Sequence, residues 1–214
     1  TSSNGGGSYN AGSGTMTITN TTISGNKVMG LNNGGGIYNR GTMTINNSTV
    51  SDNTTSGVGG GIFTYDDSSV GLANALIAGN TASIRPDCRG VLTSLGHNLI
   101  GDTTGCSFTA ATGDLVNVDP MLGLLQDNGG PTLTHAILTD SPAIDSGNPA
   151  VPGTGGAACP QTDQRGVLRP QGAACDIGAF EFLGTVPPRA FDQTVSASGL
   201  SPMTIELSGS DVDP

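Results

Sequence analysis

A register of 27 residues sets what this chain can become: Ile18, Ile45 and Leu72 recur at that spacing, as do Ile23, Val50 and Ile77, and as do Asn26, Asn53 and Asn80. The three segments read TMTITNTTISGN, TMTINNSTVSDN and SVGLANALIAGN, and each follows a glycine-rich stretch ending in Gly7, Gly36 or Gly61. Those stretches run on as GGGSYN, GGGIYN and GGGIFT. Self-similarity at this period belongs to stacked repeats and not to a globule. Within a repeat the apolar residues alternate, as in Met16-x-Ile18 and Met43-x-Ile45, the period of a strand with one buried face. Helical periodicity is absent, and Gly, Asn, Ser and Thr would weaken a helix in any case. The expected fold is all-β, a parallel β-helix in which each strand pairs with its equivalent one coil along.

Competing repeat architectures fit less well. A propeller blade needs four strands in roughly 40 to 45 residues, and a leucine-rich repeat needs Leu where these coils carry Ile, Val and Thr. In a β-helix, a residue and its copy one turn on stand about 4.8 Å apart, so equivalent side chains stack. The Ile and Val positions are expected to fill the interior. Asn26, Asn53 and Asn80 either form an amide ladder at a corner or simply suit tight turns.

Charged residues make up only 11% of the chain, Trp is absent and Gly accounts for 35 of 214 residues, so solubility rests on Thr, Ser and Asn. That composition fits an extracellular, bacterial-type surface protein; disorder, its competitor, is opposed by the strict register. A net charge of -10 makes nucleic acid and anionic membrane poor partners. No apolar run approaches the ~20 residues that span a bilayer, so membrane insertion is not expected. The opening TSSNGGGSYN shows no signal peptide and reads as the start of a mature or trimmed product.

Four cysteines form two local pairs, Cys88 with Cys106 and Cys159 with Cys175. An even count in short loops of an exported chain favours disulfides. Zinc is disfavoured, since there is no CxxC and His97 and His135 lack metal-ligand spacing. No metal, cofactor or catalytic residue is expected.

After residue 80 the register fades into DPMLGLLQDNGGPTLTHAILTDSPAIDSGN and then CPQTDQRGVLRPQGAACDIGAFE. These strings, with the upstream GGGIYN-type coils, resemble the bacterial surface proteins called choice-of-anchor Q domain proteins, over about residues 5 to 182. The resemblance implies a right-handed parallel β-helix on a secreted or cell-surface protein, and it brings no catalytic assignment. Asp163, Arg165, Asp176 and Glu181 are expected to be structural, as an ion-pair network sealing the last coil. Residues 183–192 read as a Pro-rich linker, and residues 193–214 as a β-strand extension that resembles the opening of a cadherin-like or immunoglobulin-like repeat. There Asp211 and Asp213 resemble a calcium-binding turn.

The function that follows is an extracellular structural or adhesive β-helix module without enzymatic activity, whose sharpest form is a filament subunit joined head-to-tail to other copies of itself. Bare solenoid edges template further pairing, and Thr194, Val195, Leu200, Ile205 and Leu207 are the residues expected to add to a neighbouring copy. The alternative is a pectate-lyase-like β-helix that binds or cleaves carbohydrate. Against cleavage, the acids do not stack: Asp52 faces Gly25 and Gly79 at one-coil offsets, while Asp119 and Asp145 sit in turns. For surface glycans as partners, the sequence offers only Tyr9, Tyr38 and Phe63 recurring at one corner, where packing against the glycine-rich turn is the normal fate of an aromatic ring. Asn20, Asn47 and Asn53 fit the N-glycosylation sequon.

Overall fold

The computed structural model describes residues 4–30 and 32–184, and beyond them the backbone of residues 189–190 and 209–210. The chain divides into two compact units, Thr1–Phe182 and Leu183–Pro214. In the second, Arg189–Ala190 pairs antiparallel with Gly209–Ser210. The assembly residues Thr194, Val195, Leu200, Ile205 and Leu207, and the aspartates Asp211 and Asp213, lie outside the described residues.

The first unit is a parallel β-helix. Its first coil carries β1 (Ser8–Asn10), β2 (Thr15–Thr19), β3 (Thr22–Ser24) and β4 (Lys27–Val28), and the second repeats them as β5 (Ile37–Asn39), β6 (Thr42–Asn46), β7 (Thr49–Ser51) and β8 (Thr54–Thr55). The third supplies β9 (Ile62–Thr64), β10 (Ser69–Ala73) and β11 (Leu76–Ala78). Two shortened coils follow, with β12 (Cys88–Ser94) and β13 (Leu99–Ile100), then β14 (Cys106–Thr109) and β15 (Leu115–Val116). The strands stack into three parallel walls, β1-β5-β9-β12 the first, β2-β6-β10-β12-β14 the second and β3-β7-β11-β13-β15 the third; β12 joins the first two into one sheet, and β4 with β8 forms a short parallel pair.

Register follows the repeat. Ile18 pairs with Ile45 and Ile45 with Leu72, while Ile23 pairs with Val50 and Val50 with Ile77. All six point into one core with Ile37, Ile62, Val70 and Leu92. β-branched residues suit these short strands because their stiff side chains pack on a pleated surface without further loss of freedom.

The asparagines do form a ladder. The Asn26 side-chain amide donates to Asn53 Oδ1 at 2.9 Å, and that of Asn53 to Asn80 Oδ1 at 3.0 Å. Asn80 then donates to a buried carboxylate, Asp87 Oδ1, at 2.9 Å. This ladder explains the glycines: a Cβ on Gly7, Gly36 or Gly61 would stand 2.8, 2.9 or 2.7 Å from a ladder amide nitrogen. Only a residue without a side chain lets the backbone pass there.

Both disulfides are local, Cys88–Cys106 and Cys159–Cys175, and among the described residues no cysteine is free. Sequence separations of 18 and 16 residues give about 3 kcal/mol of stabilisation each on the chain-entropy account. Non-reducing peptide mapping should therefore recover only these two linkages, and the double replacement Cys88→Ala with Cys106→Ala should lower the melting temperature by roughly 6–12 °C in a protein of this size. A Cys88–Cys159 peptide would refute the pairing.

Residues 117–182 do not continue the coils. They turn back along the third wall as a flank that includes an antiparallel hairpin, β16 (Leu122–Gln126) with β17 (Thr134–Ile137). Leu76, Ala78 and Leu99, which point outward from the wall, are buried there against Ala136, Ile137, Ala143, Ile177 and Phe180. Polar clasps run the length of the seam: Asn20 Nδ2 to the Thr162 carbonyl at 2.7 Å, Asn47 Nδ2 to Cys159 Sγ at 3.3 Å and Asn74 Nδ2 to the Ala157 carbonyl at 2.9 Å.

Candidate interaction face

The acidic groups of the flank, the side chains with most capacity for chemistry, are tied up in internal bonds. Arg169 Nη1 meets Glu181 Oε2 at 3.0 Å and donates to the Asp176 carbonyl at 2.8 Å, with both side chains of the ion pair essentially inaccessible. Asp163 holds Arg165 at 2.8 Å and accepts from the Glu181 backbone N–H at 3.0 Å. Asp176 accepts from the backbone of Asp145 at 2.7 Å and of Phe182. The network expected from these residues therefore exists, but its place differs from the expectation. It does not seal the last coil; it stiffens the flank, whose Gly178 bonds Asn74 of the third coil and whose Ala179 bonds Thr49 of the second. Long-range folding-back is invisible to a repeat, which is why the sequence pointed to the solenoid's end.

Burial, reinforced by the neighbouring Glu181 carboxylate, pushes Asp176 from 3.8 up to about 7. Burial likewise raises Glu181 and lowers Arg169. Between about pH 4 and pH 7 the folded chain holds a proton on Asp176 that the unfolded chain has released, so stability falls as pH rises through that window. The melting temperature should be higher at pH 5 than at pH 8, and Asp176→Asn should reduce that slope. An unchanged slope in the variant would assign the pH dependence elsewhere.

Asp119 takes a turn role, accepting from Met121 N–H at 2.8 Å, whereas Asp145 ties distant segments of the flank, accepting from Ala174 N–H at 3.2 Å. His135 is buried in the seam. Its Nδ1 lies 2.8 Å from the Gly123 carbonyl, which can only accept, so Nδ1 carries the donating hydrogen, and its Nε2 lies 2.8 Å from the Ser24 hydroxyl. This contact pins the flank to the first coil, beside Asp52 at 3.8 Å. Of the sequons, Asn47 and Asn53 are completely buried and hydrogen-bonded through their amide nitrogens, so the folded chain offers neither to a glycosylating enzyme.

The first wall presents a different surface. Tyr9, Tyr38 and Phe63 stack face to face up successive coils, at 5.5 and 4.9 Å between ring centroids and 7° between planes. The register continues into β12, where Arg89 pairs with Phe63 and lays its guanidinium 4.7 Å over that ring. The rings thus cover one another's faces; Tyr38 and Phe63 are nearly buried, while Tyr9 keeps 48% of its surface exposed. Arg89 also donates to the Thr64 carbonyl at 2.9 Å and pairs with Asp66 at 2.7 Å. Alongside, Arg40 lies 4.7 Å over the exposed ring of Tyr65. A groove of about 230 Å³ opens next to this stack, lined by Asp66, Arg85, Arg89, Gly90, Gly105 and Ser107. Sequence reading found the aromatic stripe but missed its arginine, although the 26-residue step from Phe63 to Arg89 was the signal.

Fold and face together define a disulfide-bonded parallel β-helix with a side flank and one aromatic–arginine wall. No family model, curated protein or solved structure matches this chain. Among the described residues, no helix is long and apolar enough to cross a membrane and no cluster of three or more potential metal ligands occurs.

Proposed function

We propose that the chain is an extracellular structural or adhesive β-helix module, with residues 5–182 of the choice-of-anchor Q kind. The pair of disulfides carries this reading, because such bonds persist in oxidising compartments. A rigid solenoid whose amides and carboxylates are bonded internally is suited to holding a surface in place. Its sharpest form is a filament subunit joined head-to-tail. In support, coil pairs with coil through parallel backbone hydrogen bonding, a contact that a strand of another copy can also make. Fractionation of the native source with thiol labelling tests the module reading: a reduced, cytosolic protein would overturn it. Negative-stain imaging of the intact chain and of a chain lacking residues 190–214 tests the filament, which requires the intact chain to assemble and the shortened one to fail. The alternative, contact with carbohydrate, is favoured by one observation, the aromatic–arginine wall.

A further inference from the structure

We propose that the groove between Arg85 and Arg89 binds the carboxylate or sulfate groups of an acidic polysaccharide. The proposal rests on the adhesive reading above and names its ligand. Four observations carry it. First, Arg89 is not a waving surface side chain: Phe63 beneath it and the Thr64 carbonyl fix its plane, and together with the exposed Asp66 they engage only part of its five-donor fork. A planar guanidinium held in this way suits two-point contact with a carboxylate or sulfate.

Second, Arg85 has a backbone φ of 59°, a left-handed conformation that L-residues adopt at a cost in free energy. Glycine would occupy that position without strain. Seven of the ten described non-Gly residues with positive φ are Asn or Asp, which bear it at least cost, so an arginine in that conformation stands apart from most of them. Third, Gly105 makes room for it: a Cβ there would collide with the Arg85 side chain, so the absence of a side chain lets Arg85 lie along the groove wall.

Fourth, the charge is out of keeping with the chain. Only seven Lys and Arg occur in a protein of net charge -10, yet two of them converge on this groove against one carboxylate. That carboxylate, Asp66, is largely exposed, with 74% of its side chain accessible. An exposed ion pair contributes little and is readily exchanged, so an incoming ligand anion can take the place of Asp66 on Arg89.

The size of the groove selects among anionic ligands. At about 230 Å³ it is smaller than sites for whole drug-sized ligands and suits one sugar unit of a chain crossing the wall. With one groove per chain, the equivalent units of a polymer raise the apparent affinity only by the statistical factor of their number.

The test is binding of the purified full chain to polygalacturonate, dextran sulfate, neutral dextran and poly-glutamate at low and high salt. Binding to one or both acidic polysaccharides is expected, weakening with salt, with dextran and poly-glutamate far weaker. The polygalacturonate and dextran sulfate arms separate carboxylate from sulfate recognition. Arg89→Gln should weaken binding about tenfold or more, and Asp66→Asn should tighten it. Arg85→Gly is the decisive variant: it should also weaken binding about tenfold while melting at or above the temperature of the parent. Unchanged binding in either arginine variant, equal binding of poly-glutamate, or no binding to either acidic polysaccharide overturns the proposal. A surface-located, oxidised protein that fails here loses this ligand and keeps the adhesive reading; a cytosolic, reduced one loses that reading whatever it binds.

Discussion

Replacing Ile45 by Asp is expected to leave the β-helix unfolded at room temperature. Ile45 is fully buried, with Ile18 on one side and Leu72 on the other. The substitution removes roughly 2–3 kcal/mol of apolar burial and sets a carboxylate where no donor faces it, which adds several kcal/mol more. The sum reaches the ~5–15 kcal/mol that is the whole stability of a typical domain. The loss also spreads, because each coil is held by its neighbours and a broken coil deprives two others of their packing surface. Ile45→Val, which keeps shape and loses one methylene, should cost only about 1 kcal/mol. Circular dichroism melts of both variants check the pair; an Ile45→Asp protein as stable as the parent would remove Ile45 from the interior.

Replacing Arg169 by Ala should be nearly as damaging, by about 3–5 kcal/mol. The guanidinium is enclosed with Glu181 and bridges the carbonyls of Asp176 and Gly178, both at 2.8 Å. Its loss strands the Glu181 carboxylate among buried groups and empties the space that the side chain filled. The double variant Arg169→Met with Glu181→Leu should recover part of that loss, since an apolar pair of similar volume avoids the stranded charge. Denaturant titration of the single and double variants measures the difference; a single variant within 1 kcal/mol of the parent would mean that water reaches the pair.

The solenoid was legible because its chemistry repeats locally. Ile18, Ile45 and Leu72 announce an inward face, and Asn26, Asn53 and Asn80 a corner, without knowledge of anything distant. The flank was not legible, because its contacts join residues as far apart as Asn20 and Thr162 and recur nowhere else in the chain. One trace of it was present. The third-wall strands read Thr49-Val50-Ser51 in the second coil and Leu76-Ile77-Ala78 in the third, where alternation gives way to a continuous apolar run. Such a run marks a strand covered on both faces. The groove was harder still, since it depends on Arg85 and Gly105 meeting across two shortened coils that have lost the common spacing.

The asparagine ladder has a direction, and that direction sets where the solenoid's length can vary. Each asparagine accepts from the coil before and donates to the coil after, so any one link can follow any other. Asp87 breaks that grammar. It accepts from the Asn80 backbone and side chain and from Asp102 N–H, and an ionised carboxylate has no proton to hand on. A second corner ends in the same manner, where Asn98 donates to Asp114 Oδ1 from both its backbone and its side chain. Aspartate therefore serves as a full stop at two corners, while the asparagine coils upstream are interchangeable words. Duplicating residues 27–53 in frame would add a coil that the ladder accepts, whereas the same insertion after Asp87 would meet a corner with nothing left to donate.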